Sequence, residues 1–245
     1  MKRVIFYLLN CYLLVSSCKK ESTNPAKYPL KSYTILANQF NISNVRDSIS
    51  LEYSNGLIIR ATSHYKYELN STGPVKTLNF VYNKNKIQSV NSIKNNNSSS
   101  IILEYDSDNL LKSIVSQNST FSIRYNTSKK VSGIRFSFSN FYDFEVKDEN
   151  MISINRSGNI QKNEFETTNN PFYYIPDDVK LTIMSEFGNS IFINNYNGFS
   201  RNSPKSYSQE KKEYSISYKY NKANLPIEAI ITNNSQKINT LKFYY

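Results

Sequence analysis

Histidine is almost missing from this chain, with His64 alone among 245 residues, and cysteine occurs only at Cys11 and Cys18. Glycine is also scarce, at six. Each shortage removes a class of chemistry. A Ser-His-acid triad or a catalytic metal site would have to be built on His64. That residue sits beside Tyr65 at the start of a strand-like run, where a surface or half-buried structural role suits it. No glycine-rich loop with phosphate-cradling spacing exists. The expectation is therefore no cofactor, no metal site and no catalytic residues.

Aromatic residues are plentiful: 14% of the chain, including 20 tyrosines and 14 phenylalanines. Many fall into one recurring unit between Leu78 and Ile154. In it an alternating strand ends on an anchor residue, a polar turn follows, and a second apolar run begins. The anchors Tyr82, Tyr105, Tyr125 and Val146 are 23, 20 and 21 residues apart. From anchor to next apolar residue (Ile87, Leu110, Val131, Met151) the step is 5, 5, 6 and 5, and Tyr220 to Leu225 repeats the step of 5. A period near twenty means one supersecondary unit per copy, which buries its apolar face only against neighbours. Within a copy, Phe121, Ile123 and Tyr125 share one face of a pleated strand, and Ser122, Arg124 and Asn126 the other. Ile134, Phe136 and Phe138 face inward on the returning strand. Asn and Asp bond to their own backbone and tolerate left-handed conformations, so the turns need little glycine.

Tyr105-Asp106-Ser107-Asp108-Asn109-Leu110 resembles the tyrosine-aspartate (YD) repeat of RHS-type proteins. With its front end, residues 50–245 of the chain resemble the small YD-like lipoproteins of Bacteroidetes. Only one copy has Asp after Tyr. Five or six copies are too few for the hollow shell of large RHS proteins, so an encapsulating role is not carried over.

That front end has a basic pair, Lys2-Arg3, then an apolar run from Val4 to Leu14, then Val15-Ser16-Ser17-Cys18. The apolar run is too short to span a bilayer, which takes about 20 residues, but suits an export signal. The small residues before Cys18 resemble the bacterial lipobox, with valine where leucine is commoner. The resemblance implies cleavage after residue 17, lipidation of Cys18, and membrane anchoring through acyl chains. Cys11 leaves with the leader, so no free thiol or disulfide remains in the mature chain. Lys19-Lys20-Glu21 matches neither an inner-membrane retention signal nor an acid-rich surface signal. The expected address is the outer membrane, on either face.

Residues 18–31, with Pro25 and Pro29, read as a tether. Residues 32–245 read as one β-repeat domain, with Asn55-Gly56 as a strong hairpin turn. Residues 91–100 read as a polar connector. At 171–205 the pattern breaks. Pro171 and Pro176 bound an apolar stretch that cannot be a central strand throughout, and Asp177-Asp178 open a segment to Phe187 that suits a short helix or an alternating strand. The chain stops within a strand, where Lys242 would discourage edge pairing. The expected fold is mainly β: a curled antiparallel β-meander of hairpin repeats, with the 171–205 insertion packing on the sheet as its cover. Whether the sheet closes into a barrel is left open.

The net charge of +11 becomes +9 once Lys2 and Arg3 leave with the leader. Basic residues are scattered, the longest runs being pairs such as Lys129-Lys130 and Lys211-Lys212. Without a stripe or recognition motif this argues against nucleic acid. Glycosidase chemistry needs two carboxyls facing across a cleft, and five pairs are candidates: Asp106/Asp108, Asp143/Glu145, Asp148/Glu149, Glu164/Glu166 and Asp177/Asp178. Turns, a wet strand face or a helix N-terminus account for most of them. Tyr244 and Tyr173 are the tyrosines expected to be exposed. The composite expectation is a non-catalytic envelope lipoprotein acting as a binding or structural module. Its partners would be the membrane through its anchor, and a glycan, peptide or envelope protein. An apolar-ligand carrier with a pocket beneath 171–200 is the alternative, and a glycan-active hydrolase the third reading.

Overall fold

A computed structural model describes residues 29–37, 45–66, 75–116, 119–136, 141–187 and 197–245. The leader, Cys18 and Phe138 lie outside them. Among the described residues are sixteen strands and one helix. The first six are β1 (Ser32–Ala37), β2 (Val45–Ser54), β3 (Leu57–Lys66), β4 (Val75–Asn83), β5 (Lys86–Lys94) and β6 (Asn97–Tyr105). Then come β7 (Leu111–Ser116), β8 (Ser119–Tyr125), β9 (Val131–Arg135), β10 (Phe141–Lys147), β11 (Asn150–Arg156) and β12 (Asn159–Asn169). The helix α1 (Asp177–Phe187) precedes β13 (Asn202–Gln209), β14 (Lys212–Tyr220), β15 (Pro226–Asn233) and β16 (Gln236–Tyr244).

Every strand pairs antiparallel with its sequence neighbours, and β1 pairs with β16 over Ser32↔Tyr244 to Ala37↔Asn239. The sheet is thus a closed barrel. The meander expectation holds for connectivity, and the closure that the residues left open is decided by the pairing of β1 with β16. The expected edge at Lys242 does not exist, because that residue pairs with Thr34 on one side and Glu228 on the other. The polar connector at 91–100 is corrected too. It is the end of β5, a two-residue turn at Asn95-Asn96 and the start of β6.

Three turns share one geometry that explains why Asp or Asn follows the anchor tyrosine. Asp106 Oδ1 accepts the amides of Asp108 and Leu110. Asn126 Oδ1 accepts those of Ser128 and Lys130, and Asn221 Oδ1 those of Ala223 and Leu225. Asp and Asn interchange because only the acceptor oxygen is used. Asp106→Asn is therefore expected to leave stability nearly unchanged, while Asp106→Ala should cost about 1–2 kcal/mol in a urea melt; equal effects of the two would overturn this role.

In these three copies the anchor pairs one residue later than the apolar spacing suggested at two sites: Tyr105↔Leu111 and Tyr220↔Pro226 rather than Leu110 and Leu225. Just before each anchor the ladder skips a residue on the returning strand. Ile59, Gln88, Lys112, Ser132, Ile152 and Ile227 are the skipped ones. A bulge repeated at one height adds local twist and bend to each hairpin, which helps the sheet curl.

The lumen holds the core. Ile49, Leu78, Ile87, Ile101, Ile114 and Ile134 are almost wholly buried, and Phe121, Ile123 and Phe136 point inward as expected. Segment 177–187 is the helix of the two alternatives. It does not lie over the sheet: from Val179 to Met184 six consecutive residues are buried. A helix buried all round must be enclosed. Asp178 meets Tyr105 near the tyrosine-anchored end, and Lys76 near the opposite end bonds to Glu186 Oε2 and to its carbonyl at 2.7 Å each. At 1.5 Å per residue, about 16 Å of helix thus runs along the barrel interior. The insertion is a plug rather than a cover.

Candidate functional site

The end of the barrel where the plug enters is the most elaborate region of the molecule. Its frame is a relay of anchor tyrosines. The Tyr53 hydroxyl donates to the Leu30 carbonyl at 2.8 Å, and that of Tyr82 to Ile58 at the same distance. The backbone at Ile87 hydrogen-bonds to the Tyr105 hydroxyl, and that at Leu111 to Tyr125. The Tyr245 hydroxyl closes the series on Pro226 at 3.0 Å. Each ring lies half in the core while its hydroxyl holds the preceding hairpin. Burial pushes these phenols above their ordinary range, Tyr53 to about 12. They are therefore neutral donors at physiological pH and not general bases.

Asp178 stands amid this collar. Its Oδ1 accepts the Val179 amide at 2.8 Å, capping the helix, and its Oδ2 accepts the Tyr105 hydroxyl at 3.2 Å. Burial raises its pKa, and these donors partly offset the rise. Lys180, 1% exposed, turns back toward the same end. It pairs with Asp177 at 2.7 Å, donates to the Gly198 carbonyl at 3.3 Å and lies over the Phe199 ring. A buried cation with these partners is satisfied.

The plug is fastened by the one hairpin whose anchor is not tyrosine. Val146 has no hydroxyl to offer, and next to it Glu149 gathers three partners. Lys130 reaches it at 2.8 Å, Tyr173 at 3.0 Å and Arg201 at 3.1 Å. The Lys130 bond foremost holds the Glu149 carboxyl below its usual range. Asn150 and Asn202 exchange two hydrogen bonds, and fully buried Asn170 binds the Asn197 carbonyl and the Phe172 amide. Tyr173 is thus engaged and partly buried, against expectation, while its neighbour Tyr174 and the expected Tyr244 are exposed.

The sequence-derived candidates do not converge. His64 lies exposed on the outer wall. Asp106 belongs to a turn, and Asp143 pairs with Arg124 on the outer wall. Glu164 accepts a Ser206 hydroxyl, Glu166 accepts Tyr220, and Asp177 faces Lys180. No two of the five pairs face each other across a cleft, as glycosidase chemistry requires. No cluster of metal-ligating side chains occurs among the described residues. Lys180 and Asn170 were missed because a lysine in a helix and an asparagine before a proline look like surface residues until the barrel encloses them.

The outer wall inverts the pattern of a membrane barrel. Outward positions near mid-height include Ser50, Thr62, Asn79, Asn91, Ser122, Glu145, Lys162 and Ser217, while the apolar residues alternate inward. Membrane-spanning barrels carry an outward apolar band around a polar interior. Exposed apolar residues here, such as Ile102 and Ile160, are scattered.

No known protein family and no curated protein matches the sequence. Solved structures do. A porin-like protein from Bacteroides uniformis matches with a TM-score of 0.58 at 10% identity, covering 88% of this chain and 97% of that one. The likeness is one of fold. A porin-like protein from Bacteroides vulgatus aligns over 88% of this chain and 98% of its own, at 11% identity and a TM-score of 0.37.

Proposed function

We propose that the protein is a non-catalytic cell-envelope lipoprotein. Cys18 would carry the lipid, residues 18–31 would form the tether, and the barrel would stand outside the bilayer as a rigid binding or structural module at the outer membrane. The observation that carries this reading is the inverted wall: an outer face of Ser, Thr, Asn and charged side chains would be costly in lipid, by about 2–4 kcal/mol for each cation at the bilayer midplane. The barrel therefore needs a separate anchor, and the lipobox-like Cys18 supplies one. The plugged interior argues against a pore and against a carrier, because α1 takes the space a ligand would need. The turn role of Asp106, Asn126 and Asn221 supports the kinship with YD repeats.

Fractionation tests this. A chain exported on an ordinary cleavable leader and carrying Cys18→Ser is expected in the soluble fraction, while the unaltered protein requires detergent. If the serine version stays in the bilayer through alkaline washing, the barrel itself spans the membrane and the proposal fails. If the unaltered protein is soluble, the anchor is wrong.

A further inference from the structure

We infer that the barrel rim opposite the plug's entrance is a docking surface for an acidic polysaccharide. The two rims differ in how their charges are arranged. At the plug end carboxylates are interleaved with the cations, and several pairs form, as in Lys129–Asp108 at 3.5 Å, Lys130–Glu149 at 2.8 Å and Arg201–Glu149 at 3.1 Å, while Lys84, Lys147 and Lys222 are exposed beside Asp106, Asp108 and Asp148. At the far rim, Arg135, Arg156, Lys211, Lys212 and Lys237 are all exposed, and Lys162 is exposed on the outer wall beside them. None forms an ion pair among the described residues. Exposed carboxylates are fewer along this arc: Glu210 and Glu213 at the rim, and Glu145 and Glu164 on the wall beside Lys162.

Strand order makes these residues neighbours although they span 103 positions of sequence. They lie on or between β9 and β16, which are contiguous around the barrel. Adjacent strands are about 4.8 Å apart, so the arc is roughly 30–40 Å long. A curved row of spaced cations of this length suits a polymer with regularly spaced anions, and no single small anion would engage more than part of it. Between the cations lie exposed groups that hydrogen-bond hydroxyls: Ser157, Asn159, Asn234, Ser235 and Gln236. One isolated apolar residue, Ile160, is not enough to enter a bilayer. Among the described residues no exposed aromatic platform for bases accompanies the arc: the Tyr142 ring beside the Arg156 guanidinium, 5.4 Å away, is itself buried. The chain enters at the other end, where the Lys31 amide donates to the Tyr244 carbonyl and the Leu51 amide to that of Lys31. The basic arc is therefore on the end away from the entry of the tether.

This assignment rests on the binding-module reading but not on the anchor, so it is tested in solution with the full chain. Sodium polygalacturonate is the probe, and neutral dextran, phosphatidylglycerol vesicles and duplex DNA are the comparisons. Polygalacturonate is expected to bind, dextran not, and binding should weaken several-fold as salt is raised. The triple variant Arg156→Glu/Lys162→Glu/Lys212→Glu should lose roughly tenfold or more in affinity. Lys84→Glu/Lys129→Glu/Lys222→Glu at the plug end, an equal change in net charge, should lose less than about twofold. Circular dichroism would confirm that both variants stay folded. Equal losses in the two variants, no binding to polygalacturonate, or tighter binding to vesicles or DNA at the same salt would each overturn the assignment.

Discussion

Phe172→Ala is expected to destabilise the protein by about 3–5 kcal/mol, a large share of a typical domain's 5–15 kcal/mol. Phe172 is fully buried where the plug turns into the lumen, and it joins the two strands that close the barrel. Its ring meets Tyr33 of β1 edge-on at 4.9 Å and Phe243 of β16 at 5.7 Å. Truncation loses transfer free energy, leaves a cavity and removes both ring contacts, each worth about 0.5–1.5 kcal/mol. Phe172→Leu keeps most of the volume and should cost about 1–2 kcal/mol. Urea denaturation measures both, and proteolysis adds a second reading: cleavage within 171–200 should rise in the alanine variant. A loss below about 1 kcal/mol would mean that this ring does not hold the plug.

Asp47→Asn is expected to make the protein more stable at neutral pH and to flatten its pH profile. Asp47 faces the lumen, where burial pushes its carboxyl up to about 6 from 3.8, although the Ser63 hydroxyl partly offsets the rise. It also helps to raise the Tyr33 phenol, already raised by burial. A carboxyl with a raised native pKa holds its proton more tightly when folded. Its contribution is thus complete below about pH 4 and is lost as pH climbs through about 6. Two pKa units correspond to about 3 kcal/mol, and partial access of water reduces the expected loss to about 2 kcal/mol. The asparagine variant should show no such fall, with a gain of similar size at pH 7.5. Urea midpoints measured between pH 4 and 7.5 decide the matter, and parallel profiles for the two proteins would exclude this role for Asp47.

What could be read from the residues was local. Phe121, Ile123 and Phe136 were legible as core because a strand's faces alternate with a period of two, whatever the strand pairs with. Asn55-Gly56 was legible as a turn because both residues take positive φ, 50° and 78°. Other turns hid better: Lys84-Asn85, Asp148-Glu149 and Glu210-Lys211 adopt the same left-handed pair without glycine. The run Asn97–Ser100 looked like a loop because its composition is that of a turn, yet it pairs with Asn91–Lys94. There the ladder overrode propensity. For the candidate site, the anchor tyrosines were visible as a repeat, but their hydroxyl relay was not, since it links each hairpin to the one before.

By itself the sequence determined the inward and outward faces, the hairpin order and the Asx turns, because each depends on residues within a few positions of one another. The tertiary structure alone decided closure, the path of the insertion and the gathering of cations on one rim. Closure rests on β1 finding β16 more than 200 residues away, a backbone pairing that no side-chain period encodes. Once closed, a barrel this wide has an apolar interior that its own wall cannot fill, and α1 with the residues leading into it is what entered it.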